Sequence, residues 1–373
     1  MILGPVLNLV DRSIFIEISP VISVATIILI TFEAGTDIDY ETLKSVLPTT
    51  IVLSVFTFTL ITVGTGLVTP RIFPGMGFTE SLMLGTFLGG ISTVAVMSAM
   101  DKLSIVFEDI TESRLILYLE STIVDPIRVM TAIALIRIML RSEVLPREIF
   151  KEIVFVFLAG SIVGLLSGIL WMMVLHRLRN LPNNYMVTVA VLLQVYYLAE
   201  MVAGDGGGTM ACFTFGFALA NHRLIGRRLG FRPLINIKRL VQVNDEISFV
   251  LKSYYFVYTG IIASLSPRFL FVGAALTVLI IALRFFSAEL TGFFTGLGGR
   301  ELRITSLVYP LGTSAFVFSQ LPSIYDPGGQ VIQNPDLYSN IVFPVVLGTI
   351  LFTALLVPRI LGHTLEQGDD ESM

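Results

Sequence analysis

"LESTIVDPIRV", Leu119–Val129, sets two carboxylates and a guanidinium inside a stretch, Ile116 to Leu140, that is otherwise apolar enough to cross a membrane. A charge near the bilayer centre costs about 2.5–3.5 kcal/mol on insertion scales. A chain that keeps Glu120, Asp125 and Arg128 there must gain something from them. Ser121 and Asp125 are four residues apart and share a helix face. Arg128 lies three residues beyond Asp125 and can reach it. Glu120 points roughly 140° away from Asp125 at about 100° per residue, so its same-face neighbour is the apolar Val124. Pro126 frees a backbone carbonyl inside the helix. The stretch admits two readings. In one, Asp125 and Arg128 form an internal ion pair that only offsets their burial, which leaves Glu120 and Pro126 unexplained. In the other, a carboxylate, a hydroxyl and loose carbonyls are hard oxygen ligands for a small monovalent cation. A membrane carboxylate that takes either a proton or a cation is the minimal part for exchange.

The rest of the chain supports a membrane setting. It is 54% apolar and 14% charged, where a soluble chain carries about 25% charged residues. Apolar runs of about 20 residues recur from end to end, the length that spans a hydrocarbon core of about 30 Å. The sequence predicts an all-α polytopic membrane protein with eleven spans, near 20–37, 46–68, 80–100, 114–140, 149–175, 185–203, 207–221, 244–265, 268–297, 303–320 and 337–360. Residues 1–362 form one transmembrane domain, and 363–373 a polar tail. Net charge is −4 and spread along the chain, so no nucleic-acid patch is expected, and the single Cys212 cannot form an internal disulfide. No cofactor is expected. "GDGGG", Gly204–Gly208, follows a helix and lacks a Lys-Ser/Thr partner, so it is not a phosphate loop. His176, His222 and His363 are expected in solvated loops or the tail.

Lys and Arg in the connections set orientation. Fourteen fall on one side of the eleven-span scheme and six on the other, which puts the C-terminus and a long basic loop, 222–243, in the cytoplasm.

The third and tenth spans break near the middle. "GTFLGGIST" holds Gly85, Gly89 and Gly90 before Ser92 and Thr93; "YPLGTS" holds Pro310 and Gly312 before Thr313 and Ser314. Small residues at these points also suit close helix packing. Paired interruptions at matching positions of two halves, however, point to a transporter site, where unwound carbonyls and half-helix ends meet ions. The expectation is that Gly90–Thr93 are not regular helix and that Pro310–Ser314 cross near them. "TFEAGTDI" and "YFVYTGII", "GGIST" and "PLGTS", and "ILGPVLNL" and "FGFALANHRL" match weakly at an offset of seven helices, an odd number that inverts topology. The second repeat then has six helices and the first four plus a stub. Two helices are expected ahead of Met1, and the chain is expected to be a truncated or misannotated gene product.

Arg284, central in "LTVLIIALRFFSAEL", cannot lose its charge. A carboxylate or a helix C-terminus should face it, as a structural clamp or as a functional counter-charge. Glu33 either lines the site or sits at the membrane edge with Asp37 and Asp39, with the edge preferred. Lys252 and Glu246 are expected to snorkel at a span entry.

These residues together resemble the monovalent cation/proton antiporter superfamily, with its sodium/hydrogen exchanger domain, over nearly the whole chain. "ILITFEAGTDIDYETLK" is similar to the family's second-to-third helix region, "LESTIVDP" to its Glu-Ser-x-x-Asn-Asp signature, "LAEMVAGDGGGTMACFTFGFALANH" to its eighth and ninth helices, and "IALRFF" to its eleventh. The resemblance implies that Asp125 is the ion-binding aspartate. Glu120 and Ser121 match the signature's glutamate and serine, Ser92 and Thr93 the unwound segment, and Arg284 the basic residue of the eleventh helix. "ISTVAV" is closer to the Ser-Thr pattern of the potassium-efflux branch than to the Thr-Asp-Pro of many sodium exchangers. The family commonly has thirteen helices and forms dimers. Two departures stand out. Val124 replaces the Asn or Asp that precedes the key aspartate and normally partners the glutamate, so Glu120 is expected to be protonated or held by Arg284. The tenth span lacks the Arg-Gly often found there, which leaves ion selectivity and electrogenicity open.

The expected function is therefore secondary antiport of Na⁺ or K⁺ against H⁺ by a homodimer in the plasma membrane. Its partners would be a monovalent cation, a proton and the lipid bilayer. Asp125, Glu120, Ser121, Ser92 and Thr93 would bind the ions, with Arg284 and Arg128 as counter-charges and Glu33 and Thr313 as outer candidates. Two alternatives remain at this point: an intramembrane aspartyl protease, which needs two close aspartates where only Asp125 lies deep in a span, and a degenerate scaffold that does not transport.

Overall fold

The structure is a computed structural model, and it describes residues 12–107, 110–140, 146–178, 184–230, 233, 235–262, 266–326, 329–332 and 334–360. Among the described residues every regular element is a helix. In chain order these are α1 (Arg12–Thr36), α2 (Tyr40–Leu43), α3 (Leu47–Ile72), α4 (Phe78–Leu88), α5 (Thr93–Val106), α6 (Thr111–Leu140), α7 (Pro146–Arg177), α8 (Asn184–Ala203), α9 (Gly207–Ala220), α10 (His222–Arg228), α11 (Ile237–Ile262), α12 (Pro267–Thr295), α13 (Gly299–Leu307), α14 (Thr313–Phe318), α15 (Leu321–Tyr325) and α16 (Asp336–Leu351). A π-helical turn, Phe352–Leu356, continues α16.

Each of the eleven expected spans falls on a helix or a broken pair. Five helices are long and apolar enough to cross a membrane by themselves: Leu47–Ile72, Val154–Arg177, Tyr185–Ala203, Pro267–Thr295 and Asp336–Ile360. The pair α4 and α5 passes together, bent by 48°. α6 and α11 fall short of that measure because they carry the charges of Glu120, Asp125 and Arg128, and of Lys238, Asp245 and Lys252. The loop expected over 222–243 is partly helical instead. α10 occupies its start, and α11 begins at Ile237, well before the expected residue 244. The stub Ile2–Leu9, His363 and the tail 363–373 lie outside the described residues.

The chain forms two compact units. The first comprises Met1–Thr42, Asp125–Ile261 and Gln320–Gln333; the second comprises Leu43–Val124, Ile262–Ser319 and Asn334–Met373. In the first unit α9 packs against α1, α7 and α8. The approach of α1 to α9 is backbone to backbone. A Cβ on Gly35 would collide with the Phe213 carbonyl, and one on Gly216 would come within 2.5 Å of the Phe32 carbonyl. Phe32 and Phe215 close the seam with ring centroids 5.9 Å apart. Asn221 ties the end of α9 to the end of α1. Its Nδ2 donates to Ile38 O at 2.7 Å, and its Oδ1 accepts from the Tyr40 N–H at 3.0 Å. His222 is buried, its Nδ1 3.0 Å from Leu219 O, rather than solvated as expected. His176 lies half-buried in α7. A histidine just past a helix end can satisfy the last carbonyls of that helix, which the loop assignment overlooked.

In the second unit α3 packs on α4 and α12, with Gly85 set against the backbone of Thr62. Gly35→Val should therefore overpack the α1–α9 seam and destabilise the protein by about 1–3 kcal/mol. Gly298→Ala, on extended backbone with open space at its Cβ, should stay within about 0.5 kcal/mol of the parent. Thermal unfolding of the two purified variants in one detergent checks the contrast.

Candidate functional site

The candidate residues begin with the two helix breaks, both in the second unit. α4 stops at Leu88 and α5 starts at Thr93, leaving Gly89–Ser92 outside helix; α13 stops at Leu307 and α14 starts at Thr313. The breaks match the expectation except at their far ends, since Thr93, Thr313 and Ser314 are helical. They cross where expected. The Ser92 N–H donates to the Pro310 carbonyl at 2.9 Å. A Cβ on Gly312 would collide with the Ser92 side chain, so glycine is what lets the two strands of backbone meet. Groups that the breaks free are satisfied within the same unit. The Tyr309 hydroxyl donates to Leu88 O at 3.1 Å, the Leu311 N–H donates to Thr349 Oγ1 at 3.2 Å, and Ser92 caps α5 by accepting from the Ala95 N–H. The Thr93 hydroxyl lies 2.9 Å from that of Ser121 on α6, which also donates to Tyr118 O at 2.7 Å. Thr313 opens α14, half-buried.

Glu120 does not lack a partner. Arg284 of α12 grips it with two nitrogens, Nη1 to Oε1 at 2.5 Å and Nη2 to Oε2 at 2.8 Å. The same guanidinium donates to Thr57 Oγ1 of α3 at 3.0 Å and, from Nε, to Thr305 O of α13 at 2.8 Å. Its carbon sits 5.3 Å from the centre of the Tyr309 ring. Thr57 and Ser287 hydroxyls pair at 2.8 Å. Both charged side chains are almost fully buried. Of the two fates expected for Glu120, capture by Arg284 is the one observed. Thr57, Ser287, Thr305 and Tyr309 were missed. Ser287 follows Arg284 by three residues and shares its face, a usable signal; the other three come from distant elements and left none.

In the first unit Asp125 accepts from Arg128 Nη1 at 2.6 Å, the reach expected from the i, i+3 spacing. Lys252 of α11 donates to both oxygens of Glu33 on α1, at 2.7 and 2.9 Å. Lys252 and Glu33 thus form a helix-to-helix pair that the sequence reading did not anticipate. Both lie near enough to Asp125 to act on it electrostatically. Arg137 pairs with Asp205 at 2.7 Å. Glu200 accepts from the Gly206 and Gly208 N–H groups, at 2.9 and 2.8 Å from Oε1. That contact gives the glycine run a structural role, capping the start of α9. The boundary between the units falls within α6, between Val124 and Asp125, so the signature's two carboxylates belong to different units.

The family model described as "sodium/hydrogen exchanger, transmembrane" matches residues 1–367. A structure of the sodium proton antiporter MjNhaP1 from Methanocaldococcus jannaschii at pH 8 aligns with 17% identity and a TM-score of 0.80, covering 96% of this chain and 90% of that one. An electron-microscopy map of the same antiporter aligns with 17% identity and a TM-score of 0.71, covering 98% and 89%. At that identity the likeness establishes the fold. No curated protein matches in sequence.

Removing one partner of a buried ion pair strands the other charge, which costs about 3–5 kcal/mol. Glu120→Gln and Arg284→Met should each destabilise the protein by that order, while the double variant recovers most of the loss. A double-mutant cycle by thermal unfolding in detergent measures the coupling.

Proposed function

This chain belongs to the sodium/hydrogen exchanger family, and we propose that it exchanges a monovalent cation, Na⁺ or K⁺, for protons, with Asp125 as the group that takes one or the other. The observation that carries the reading is the crossing of two broken helices at Ser92 and Pro310, with the Thr93 and Ser121 hydroxyls 2.9 Å apart beside it. Asp125 follows Ser121 by one turn along α6 and accepts a single ion pair, from Arg128. In its charged form this carboxylate can be neutralised by a proton or by a cation, but not by both. Ser121 and Thr93 supply neutral oxygen atoms suited to a small hard cation. Glu120, with both oxygens on Arg284, serves to hold that part of α6 in place and is not the carrier. The degenerate-scaffold alternative drew on Val124, which left Glu120 without its usual partner, and on the helices expected ahead of Met1; the Arg284 contact answers the first of these grounds. The family is one of transporters, which speaks against the protease.

Transport follows if Asp125 is exposed to each side of the membrane in turn. We place the protein in the plasma membrane as a homodimer with a cytoplasmic C-terminus, from the charge asymmetry of its loops and from the family's habit.

Asp125→Asn should abolish cation-driven proton flux in proteoliposomes while the protein still inserts and folds, with a lowered thermal midpoint because the buried pair with Arg128 is broken. In the parent, the cation concentration giving half-maximal flux should rise as pH falls, because protons and cations compete for one site. Comparison of Na⁺, K⁺ and Li⁺ in the same vesicles reads selectivity. Residual cation-dependent flux in Asp125→Asn would remove Asp125 from the mechanism.

A further inference from the structure

A pocket of about 160 Å³ lies within the second unit. Ala95, Ala99 and Leu103 of α5 wall one side, and Ile350, Thr353 and Ala354 wall the other. Its size compares with a cavity of about 150 Å³ that takes up a six-carbon ring. Three polar side chains, Ser98, Lys102 and Thr353, break the apolar lining. Lys102 stands exposed at the rim and makes no ion pair among the described residues; its neighbour Asp101 is taken by Arg114 at 2.7 Å. The Thr353 hydroxyl is buried and has no hydrogen-bond partner. Thr353 lies in the π turn Phe352–Leu356, a distortion that recurs at functional sites. Thr277 and Thr349 bond backward, to Gly273 O and Val346 O, whereas Thr62, Thr65 and Thr69 of α3 share the unpartnered state of Thr353 among the described residues. On the helices that line the pocket, Val94, Ile105, Leu351 and Leu355 expose large apolar side chains, as a lipid-facing surface does.

We propose that this pocket is a site for an anionic phospholipid, with a segment of about six acyl carbons inside it and the headgroup phosphate on Lys102. The Thr353 hydroxyl supplies a donor for an ester carbonyl at the glycerol level. Charge complementarity selects the occupant: an apolar cleft whose lining cation makes no ion pair among the described residues, on the side expected to be rich in Lys and Arg, fits a lipid with a negative head and not a zwitterionic one. Pro310 forms part of the wall, and its carbonyl receives the Ser92 N–H at the crossing. A bound chain therefore packs directly against one of the helix breaks. The binding itself does not rest on the proposed ion exchange.

The test is native mass spectrometry of the full chain released from detergent micelles that carry equal amounts of phosphatidylglycerol and phosphatidylcholine, with thermal midpoints measured in parallel. The parent should retain one phosphatidylglycerol in preference by about fivefold, the value of one lysine near an anionic lipid. Lys102→Gln should erase the preference. Ala99→Phe, which fills the pocket, should reduce retention of that lipid with Lys102 still present; Ala354→Leu serves if that variant does not fold. Equal retention of the two lipids by the parent overturns the proposal. So does a preference that survives both Lys102→Gln and the filling variant. Inorganic phosphate alone, if it raises the midpoint as much as phosphatidylglycerol, shows that the headgroup is all that binds and also overturns it.

Discussion

A buried carboxylate cannot stand alone in a medium without water, and the second unit is organised around that constraint. Glu120 needs a full counter-charge, and Arg284 supplies it in the two-pronged geometry that a guanidinium offers and an ammonium does not. Arg284 then has donors left over, and they too must be satisfied. One goes to Thr57 on α3 and one to the backbone of Thr305 on α13. Four helices are thereby tied to one charge pair. Tyr309, lying under the same guanidinium, reaches the carbonyl at the end of α4. The electrostatic requirement of a single glutamate thus fixes the ends of both broken helices. A buried ion pair of this kind is weak evidence of net stability, since well-packed apolar residues often do as well. What it supplies is position, because one guanidinium joins α12 to α6, α3 and α13 at a single point.

The two carboxylates of α6 have different surroundings and so different capacities. Glu120 has both oxygens engaged by the same cation at short range, and protonating it would leave Arg284 stranded. Asp125 has one oxygen on Arg128, and its immediate neighbours Val124 and Pro126 offer no side-chain donor. The Lys252–Glu33 pair adds one positive and one negative charge in its vicinity without adding a net charge. Asp125 is thus held at one oxygen where Glu120 is held at both, and under the proposed function a change in its charge state is coupled to its pair with Arg128.

Much of this was legible in the chain. The spans followed from apolar length, the i, i+3 reach of Arg128 from helical geometry, and the two breaks from Gly89, Gly90, Pro310 and Gly312, because these residues carry their backbone consequences with them. The pairing of Glu120 with Arg284 was reached as one of two options, since Arg284 had to find a carboxylate and Val124 had left one without a neighbour. Less visible was whatever depends on two distant segments meeting. Lys252 and Glu33 are 219 positions apart, and each taken alone resembles a residue at a membrane edge. The helical character of His222–Arg228 was hidden by its charge, which looks like a loop until the end of α9 is known to lie beside it. Thr57 was invisible because a threonine in an apolar helix usually bonds its own backbone, and nothing local distinguishes one whose hydroxyl accepts from an arginine elsewhere; Thr305 was invisible because it accepts through its main-chain carbonyl, which every residue carries.

The way the breaks are satisfied has a consequence for how an ion would be stripped of its hydration shell under the proposed function. An unwound helix is commonly a supply of bare carbonyls, and here two of the freed ones, Leu88 O and Pro310 O, already accept hydrogen bonds from Tyr309 and from Ser92. Replacing lost water molecules then falls mainly to side-chain oxygens, the hydroxyls of Thr93 and Ser121 and the carboxylate of Asp125. Backbone oxygens are common to every sequence, whereas these change with a single codon. Preference between ions of different radius would be set by atoms that substitution can add or delete individually, leaving the crossing itself intact, so that related chains could drift from one cation to another without passing through an unfolded intermediate.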